Sequence, residues 1–271
     1  VLTDVQQDAL DAAVAELSAV GVQVAALRGD VSRAEDVQAL ADLCMERFGA
    51  PHVVINNAGV AHGGLIWEHT QRDWEWVLGV NLFGVVHGLR VFMPLMLEAA
   101  RQDPTWQGHM VNVASMAGLL NSPNMGAYNV SKHAVVSLSE TLYQDLALVT
   151  DQVHASVLCP YFVPTGIHLS HRNRPAELRS EGKPTASQMI AQAMSTKAVT
   201  SGRVTAADTA QLVFNAIEAG QFYVYTHPQA LGMVQTRLED VVQARNPTDP
   251  FAGKPELGEQ LRKALREAMK D

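Results

Sequence analysis

Two cysteines in 271 residues, Cys44 and Cys159, show no metal-ligand or redox spacing, so a disulfide scaffold and a cysteine-based zinc site are both excluded. Reduced, mostly buried thiols in a reducing compartment are expected instead. No run of Lys or Arg offers a track for phosphates, and the formal charge of −8 argues against a nucleic-acid partner. No apolar run of spanning length goes uninterrupted. The candidate from Trp76 to Met96 contains Asn81, His87, Arg90 and Pro94, which reads as a helix buried on most sides rather than a membrane span. No signal-peptide pattern opens the sequence, and a cytoplasmic location is expected. A Gly-x-Ser-x-Gly elbow is lacking. His168 and His171 are three apart without a third ligand, so no metal is expected.

What remains is a composition with 47% hydrophobic and 18% charged residues, which suits a compact chain that buries a core. Short β-branched runs alternate with helix-period segments. Val1 to Val5 is an apolar run broken by Asp4. A helical pattern from Gln7 to Val20 follows, then a strand from Val22 to Leu27 and a helix from Ser32 to Phe48 that starts with a Ser32/Glu35 capping-box pattern. Val53 to Ile55 leads into Asn56-Asn57-Ala58-Gly59. A long helix is expected between Thr70 and Ala100, and a strand from Met110. A second long helix runs from Tyr128 to about Val149, and a strand from Val153 to Leu158 ends at Pro160.

Residues 166–203 read as a polar, mobile cap with one short apolar-periodic piece near Met189 to Met194. Thr205 to Ala219 is a helix with Thr205 at its N-cap and Gly220 after its end. A last strand covers Phe222 to Tyr225, and a helix from Gln229 to Arg245 follows. Residues 1–250 are thus expected to form one domain carrying the cap, with 251–271 as an exposed tail helix. Alternation of strand and helix predicts an α/β, doubly wound parallel sheet. Asp4, Asp30, Asn57, Ser115 and Pro160 fall at or just beyond the carboxyl ends of predicted strands, where such sheets bind ligands.

The stretch from Met110 to Lys132 carries the chemistry. A strand ends at Ser115, and after a loop rich in Gly, Asn, Ser and Pro, Tyr128 and Lys132 sit four apart on one helix face. A cation beside a phenol favours its phenolate, and a nearby hydroxyl can hydrogen-bond a substrate oxygen, so the three suit proton transfer.

Taken with Asn56-Asn57-Ala58-Gly59, Asn81 in Val80-Asn81-Leu82-Phe83-Gly84, and Pro160 to Thr165, these residues resemble the short-chain dehydrogenase/reductase family. The resemblance implies a Rossmann-like sheet of order 3-2-1-4-5-6-7 and a secondary alcohol or ketone as substrate, apolar in its skeleton. It makes Tyr128 the general acid/base and Ser115 the holder of the substrate oxygen. Lys132 lowers the tyrosine pKa and contacts the nicotinamide ribose, and Asn81 anchors a water leading to Lys132. Asp4 falls where the family places the acid on the adenosine ribose, which favours NAD over NADP by repelling a 2′-phosphate. Asp30 and Val31 match the adenine contact, and Asn57, Ala58 and Gly59 the turn along the cofactor. Pro160, Val163 and Thr165 match the segment at the carboxamide, although Tyr161 stands where the family has Gly. Homodimers or homotetramers through the helices from Thr70 and Tyr128 are expected.

The family's first strand, its Gly-rich phosphate loop and the following helix have no counterpart in this sequence. A gap in the sheet, or a displaced edge pair built from residues 1–27, is therefore expected, with weak dinucleotide affinity. The rival reading is a non-catalytic or truncated module unable to bind the dinucleotide. Joint presence of Asn81, Ser115, Tyr128 and Lys132 counts against it.

Overall fold

The computed structural model describes residues 1–269; the expected end of the tail helix at Lys270 and Asp271 lies outside the described residues. Among the described residues, six short strands, all parallel, are connected mainly by helices. They are β1 (Leu2–Asp4), β2 (Ala26–Arg28), β3 (Val53–Asn56), β4 (Gly108–Val113), β5 (Val153–Cys159) and β6 (Tyr223–Tyr225). The helices between them are α1 (Gln7–Ala19), α2 (Ala34–Phe48), α3 (Gln71–Leu78), α4 (Gly84–Gln102), α5 (Gly126–Val149), α6 (Ala186–Thr200) and α7 (Ala206–Ala219). After β6 come α8 (Leu231–Val242) and α9 (Pro255–Ala268). This is the expected α/β Rossmann-like arrangement.

The sheet is in two parts. β1 pairs only with β2, Leu2 opposite Ala26, while β3, β4, β5 and β6 form a separate four-stranded sheet in that order. The expected break thus lies between β1 and β3. Its mark on packing is visible in β3, whose side chains alternate between faces as a strand's must. Val54 is buried against α2 and α4 with Met110 and Phe92, whereas Val53 and Ile55 on the other face are exposed. Farther along the same face, Val111, Leu158 and Val224 are covered by Val213 and Ala216 of α7.

Residues Gln71–Gln102 form one continuous helical run, long and apolar enough by length and composition to cross a membrane. In the fold its apolar residues are distributed over three buried clusters: Trp76 and Val77 with Ala127, Val85 with α5, and Phe92, Met93 and Met96 against the sheet. The run is not uniform. A π turn at Gly79–Phe83 separates α3 from α4 and carries Asn81, and such turns accumulate at functional sites.

Three local expectations are corrected. Ser32 does not cap α2: Asp30 Oδ1 accepts both its backbone N–H and its hydroxyl, so the helix starts after Arg33 with no side-chain cap. The cap segment holds a full 15-residue helix, α6, started by a capping box between Thr185 and Gln188. The tail helix is not simply exposed. α9 packs against α6, and its Gly258 and Leu261 are buried while Leu257 and Met269 face outward. Both cysteines are free and buried, and Thr205 and the left-handed Gly220 bracket α7 as expected.

Close packing of α4 on the sheet depends on Gly88. A Cβ there would lie 2.1 Å from Asn56 Oδ1, and Asn56 is fixed because its Nδ2 donates to Asn112 Oδ1 at 2.8 Å. Gly88→Ala should therefore destabilise the fold by about 1–3 kcal/mol, despite alanine's better helix propensity. Urea denaturation measures this; an unchanged or raised midpoint would show that Asn56 moves aside freely.

Candidate active site

Carboxyl ends of the strands open into one cavity of about 2310 Å³ that runs from β1 across the break to the cap. Its walls include Asp4, Asp30, Val31, Asn57, Ala58, Gly59, Ser115, Tyr128, Lys132, Pro160, Val163 and Thr165. Of the residues singled out in the sequence, only Asn81 lies behind the wall, fully buried. The segments that follow five parallel strands, together with the first turns of α5, are thus brought to one place.

Tyr128 and Lys132 lie one turn apart on the buried face of α5. The Lys132 ammonium donates to the Val113 carbonyl at the end of β4, 2.9 Å away, and sits 5.8 Å from the Tyr128 ring centroid. Ser115 follows the same strand. Its Oγ accepts from Ala117 N–H at 3.1 Å and lies 3.4 Å from the Pro160 carbonyl. Gly118 permits this approach of loop to helix, because a Cβ there would meet the Lys132 carbonyl at 2.6 Å.

Asn81 acts as a clamp. Its Oδ1 accepts from Val60 N–H at 2.8 Å, and its Nδ2 donates to the Val60 carbonyl at 3.0 Å and to Ser131 Oγ at 2.9 Å. Ser131 in turn donates to the Tyr128 carbonyl at 2.8 Å. One buried amide therefore ties the π turn, the loop after β3 and the helix of Tyr128. Gly59 completes the contact: a Cβ on it would stand 3.4 Å from Lys132 Nζ and 3.5 Å from Asn81 Oδ1.

Burial dominates the electrostatics. The Tyr128 phenol is raised above its ordinary value by desolvation, with a hydrogen bond to Ser115 pulling the other way. Lys132, 2% exposed, is lowered to about 8, chiefly by desolvation. The expectation that Lys132 lowers the tyrosine pKa is not met in this geometry, because the ammonium is bonded to Val113 and both groups lose water. Cys159 beside them is pushed up to about 12, again by burial, and stays a thiol.

At the cavity's other end, Asp4 Oδ1 accepts from Gln6 N–H at 2.7 Å. Asp30, as noted, engages Ser32. Tyr161 has no left-handed backbone, so this position does not require the family's glycine; its N–H donates to Thr226 Oγ1 and its ring lies 4.2 Å from that of Phe162. Sequence reasoning overlooked a second polar cluster around Asp73. Its signal is Thr70-x-x-Asp73, a capping box that the structure confirms. His62, His69 and Asp73 place ligating atoms within 4.8 Å of one another, whereas the sequence had drawn attention to His168 and His171.

A parallel α/β sheet with Ser, Tyr and Lys at its carboxyl edge defines a class of oxidoreductase, and comparison with known proteins fixes the family. A family model described as short chain dehydrogenase matches residues 1–176. The chain belongs to the short-chain dehydrogenase/reductase family and is an NAD(P)-dependent oxidoreductase. It is 51% identical to a short-chain dehydrogenase/reductase from Burkholderia phymatum solved in complex with NAD, with a TM-score of 0.89 over 92% of this chain and 87% of that one. It is 31% identical over 246 residues to the CLA biosynthesis dehydrogenase/reductase of Lactiplantibacillus plantarum, covering 89% of this chain and 83% of that protein. Identity to the 1-deoxy-11-beta-hydroxypentalenate dehydrogenase of Streptomyces avermitilis is 33% over 242 residues, 89% of this chain and 78% of that protein.

The buried ammonium gives a stability test. Its folded pKa of about 8 lies below the ordinary 10.5, so from about pH 8 to 10.5 the unfolded chain binds more protons and rising pH favours the fold. Below that window the full desolvation cost is present. Lys132→Met should therefore be more stable than the wild type at pH 7, by on the order of 1–3 kcal/mol, and this advantage should shrink across the window. Thermal unfolding at several pH values checks it; a less stable variant with a pH-independent difference would contradict it.

Proposed function

We propose that the protein interconverts a secondary alcohol and a ketone on an apolar small molecule, using NAD, with Tyr128 as the group that moves the proton. The observation that carries this reading is the convergence of Ser115, Tyr128 and Lys132 on the wall of one cavity, the last two one turn apart on the buried face of α5. Geometry of the walls suits a dinucleotide. Gly59 leaves room beside Lys132 that a side chain would fill, and Asp4 and Asp30 supply acceptors at the far end. Asp4, Asp30, Val31, Asn57, Ala58 and Gly59 would line its adenosine half, and Lys132, Pro160, Val163 and Thr165 its nicotinamide half. A carboxylate at Asp4 disfavours a 2′-phosphate, and the NAD complex of the Burkholderia phymatum protein agrees with that preference.

When bound, the nicotinamide supplies or accepts the hydride. The chain's own residues do the rest. Ser115 Oγ donates to the substrate oxygen and fixes its direction. Tyr128 gives its proton to that oxygen as the ketone is reduced, and takes it back in the reverse sense. Because burial raises its pKa, the phenol is held in the protonated form that reduction needs. Alcohol oxidation should then speed up as pH rises. Asn81, through Ser131, keeps the Tyr128 turn of the helix in place. Phe162, Ile167 and Met194 add apolar wall toward the cap, which fits a substrate with a hydrocarbon skeleton.

The test is a panel of secondary alcohols and ketones, followed by the absorbance of reduced nicotinamide, with NAD and NADP compared. Tyr128→Phe should lower turnover by about 10²-fold or more with cofactor affinity nearly unchanged. Turnover within a few-fold of the wild type would remove Tyr128 from this role.

A further inference from the structure

The cap segment between Gly166 and Leu178, two 3-10 turns that border the cavity, buries little apolar surface: Leu178 packs partly buried beside Trp76 and Val77, and among the segment's helical residues only Ser170 is fully buried. Its position therefore rests largely on directed polar contacts. Ser170 Oγ accepts from Ala61 N–H at 3.0 Å. Arg174, which joins the two turns, reaches Asp73 at the start of α3: its Nη1 donates to Oδ1 at 2.6 Å, with side chains 9% and 0% exposed. The guanidinium also donates through Nε to the Leu178 carbonyl and lies 5.0 Å from the centre of the Trp76 ring.

Asp73 has a second task. Its Oδ2 accepts from the Thr70 N–H and hydroxyl, closing the cap of α3, the helix that runs on into the π turn of Asn81. His62 Nε2 stands 3.2 Å from Oδ1, and the ring of His69 lies 5.2 Å from that of His62. Burial alone would push the Asp73 carboxyl up, but hydrogen bonds from His62, Thr70 and Arg174 outweigh it and hold the group well below the usual carboxylate range. This spacing would also suit a divalent ion. The guanidinium on the same oxygen, however, already supplies the positive charge the carboxylate needs, and a second cation beside Arg174 would be repelled.

We propose that Asp73 and Arg174 are positioning residues for the reaction described above: their buried ion pair sets the closure of the cap over Ser115 and Tyr128, and so the fit of the substrate. The pair spans 101 residues of sequence and joins the start of α3, the helix that leads to the Asn81 clamp, to the cap, whose Gly166, Ile167 and Ser170 line the cavity. Removing either partner strands a buried charge, which favours an open cap where that charge meets water.

Hydrogen exchange of the full chain tests this without a substrate. In Arg174→Gln and in Asp73→Asn, amides of residues 166–178 should exchange on the order of tenfold faster, with β4 and α5 unchanged. The double variant should add nothing further, as expected for partners in one interaction. Unchanged exchange in the cap, or a parallel rise throughout β4 and α5, would overturn the proposal. In steady state, with the secondary alcohol oxidised fastest in the panel, KM should rise about tenfold with kcat within about threefold of the wild type; a fall in kcat alone would also overturn it. If no alcohol is oxidised at all, the secondary-alcohol reading fails while the exchange result still decides the role of the pair.

Discussion

Keeping the Lys132 ammonium in a place almost closed to solvent is the constraint on which this site depends. An isolated cation there would cost several kcal/mol, so the surroundings are built to answer it. The Val113 carbonyl at the end of β4 accepts a hydrogen bond from it, and Lys132 otherwise borders the cavity. That hydrogen bond acts with the buried packing of Val135, Val136 and Leu146 to set which face of α5 meets the sheet. Tyr128, one turn earlier on the same face, is then obliged to stand near Ser115. Fold and chemistry meet in this one contact: the helix must bury a charged residue against the sheet's carboxyl edge for the phenol to face the cavity.

A ladder of small polar groups supports the arrangement from below. Asn56 on β3 donates to Asn112 on β4, Asn112 to Ser139 on α5, and Ser139 to the Val135 carbonyl. Beside it, Asn81 links Val60 to Ser131 and so to Tyr128. Asn81, Asn112, Ser131 and Ser139 are buried and hydrogen-bonded, and Asn56 is partly buried, which rigidifies a core more than apolar contacts alone. Toward the cap side chains are more exposed, and residues 166–178 are tied to the rest of the chain by Ser170 and Arg174 among other polar contacts. A rigid base under a more loosely held roof is what an enzyme that must admit and release its substrate requires.

Much of this was legible in the sequence, for identifiable reasons. Strands β3, β4 and β5 are short runs that contain β-branched residues, and Asn57, Ser115 and Pro160 follow within two residues of their ends, so the carboxyl edge could be assembled by counting. The break between β1 and β3 also followed, because no segment in the chain offered a strand to fill it. What could not be read depended on contacts distant in sequence. α6 buries only Ser187, Ala191 and Val199, small residues that leave no apolar stripe, so its pattern resembled a loop. Ser32 looked like a helix cap until Asp30 claimed its hydroxyl. Arg174 and Asp73 are ordinary charged residues apart, and only the folded chain shows that they are buried together. Direction of the Tyr128 pKa was likewise decided by burial, which spacing on a helix cannot report.

Transfer of deuterium tests the assignment most directly. A secondary alcohol turned over by the enzyme, labelled at its carbinol carbon, should deliver its deuterium to the nicotinamide ring, detected by mass spectrometry of the reduced cofactor. The label should appear with one stereochemistry, and the wild type but not Tyr128→Phe should carry it at an appreciable rate. Oxidation of the alcohol without deuterium on the cofactor, or equal labelling by the Tyr128→Phe variant, would contradict the mechanism drawn from this site.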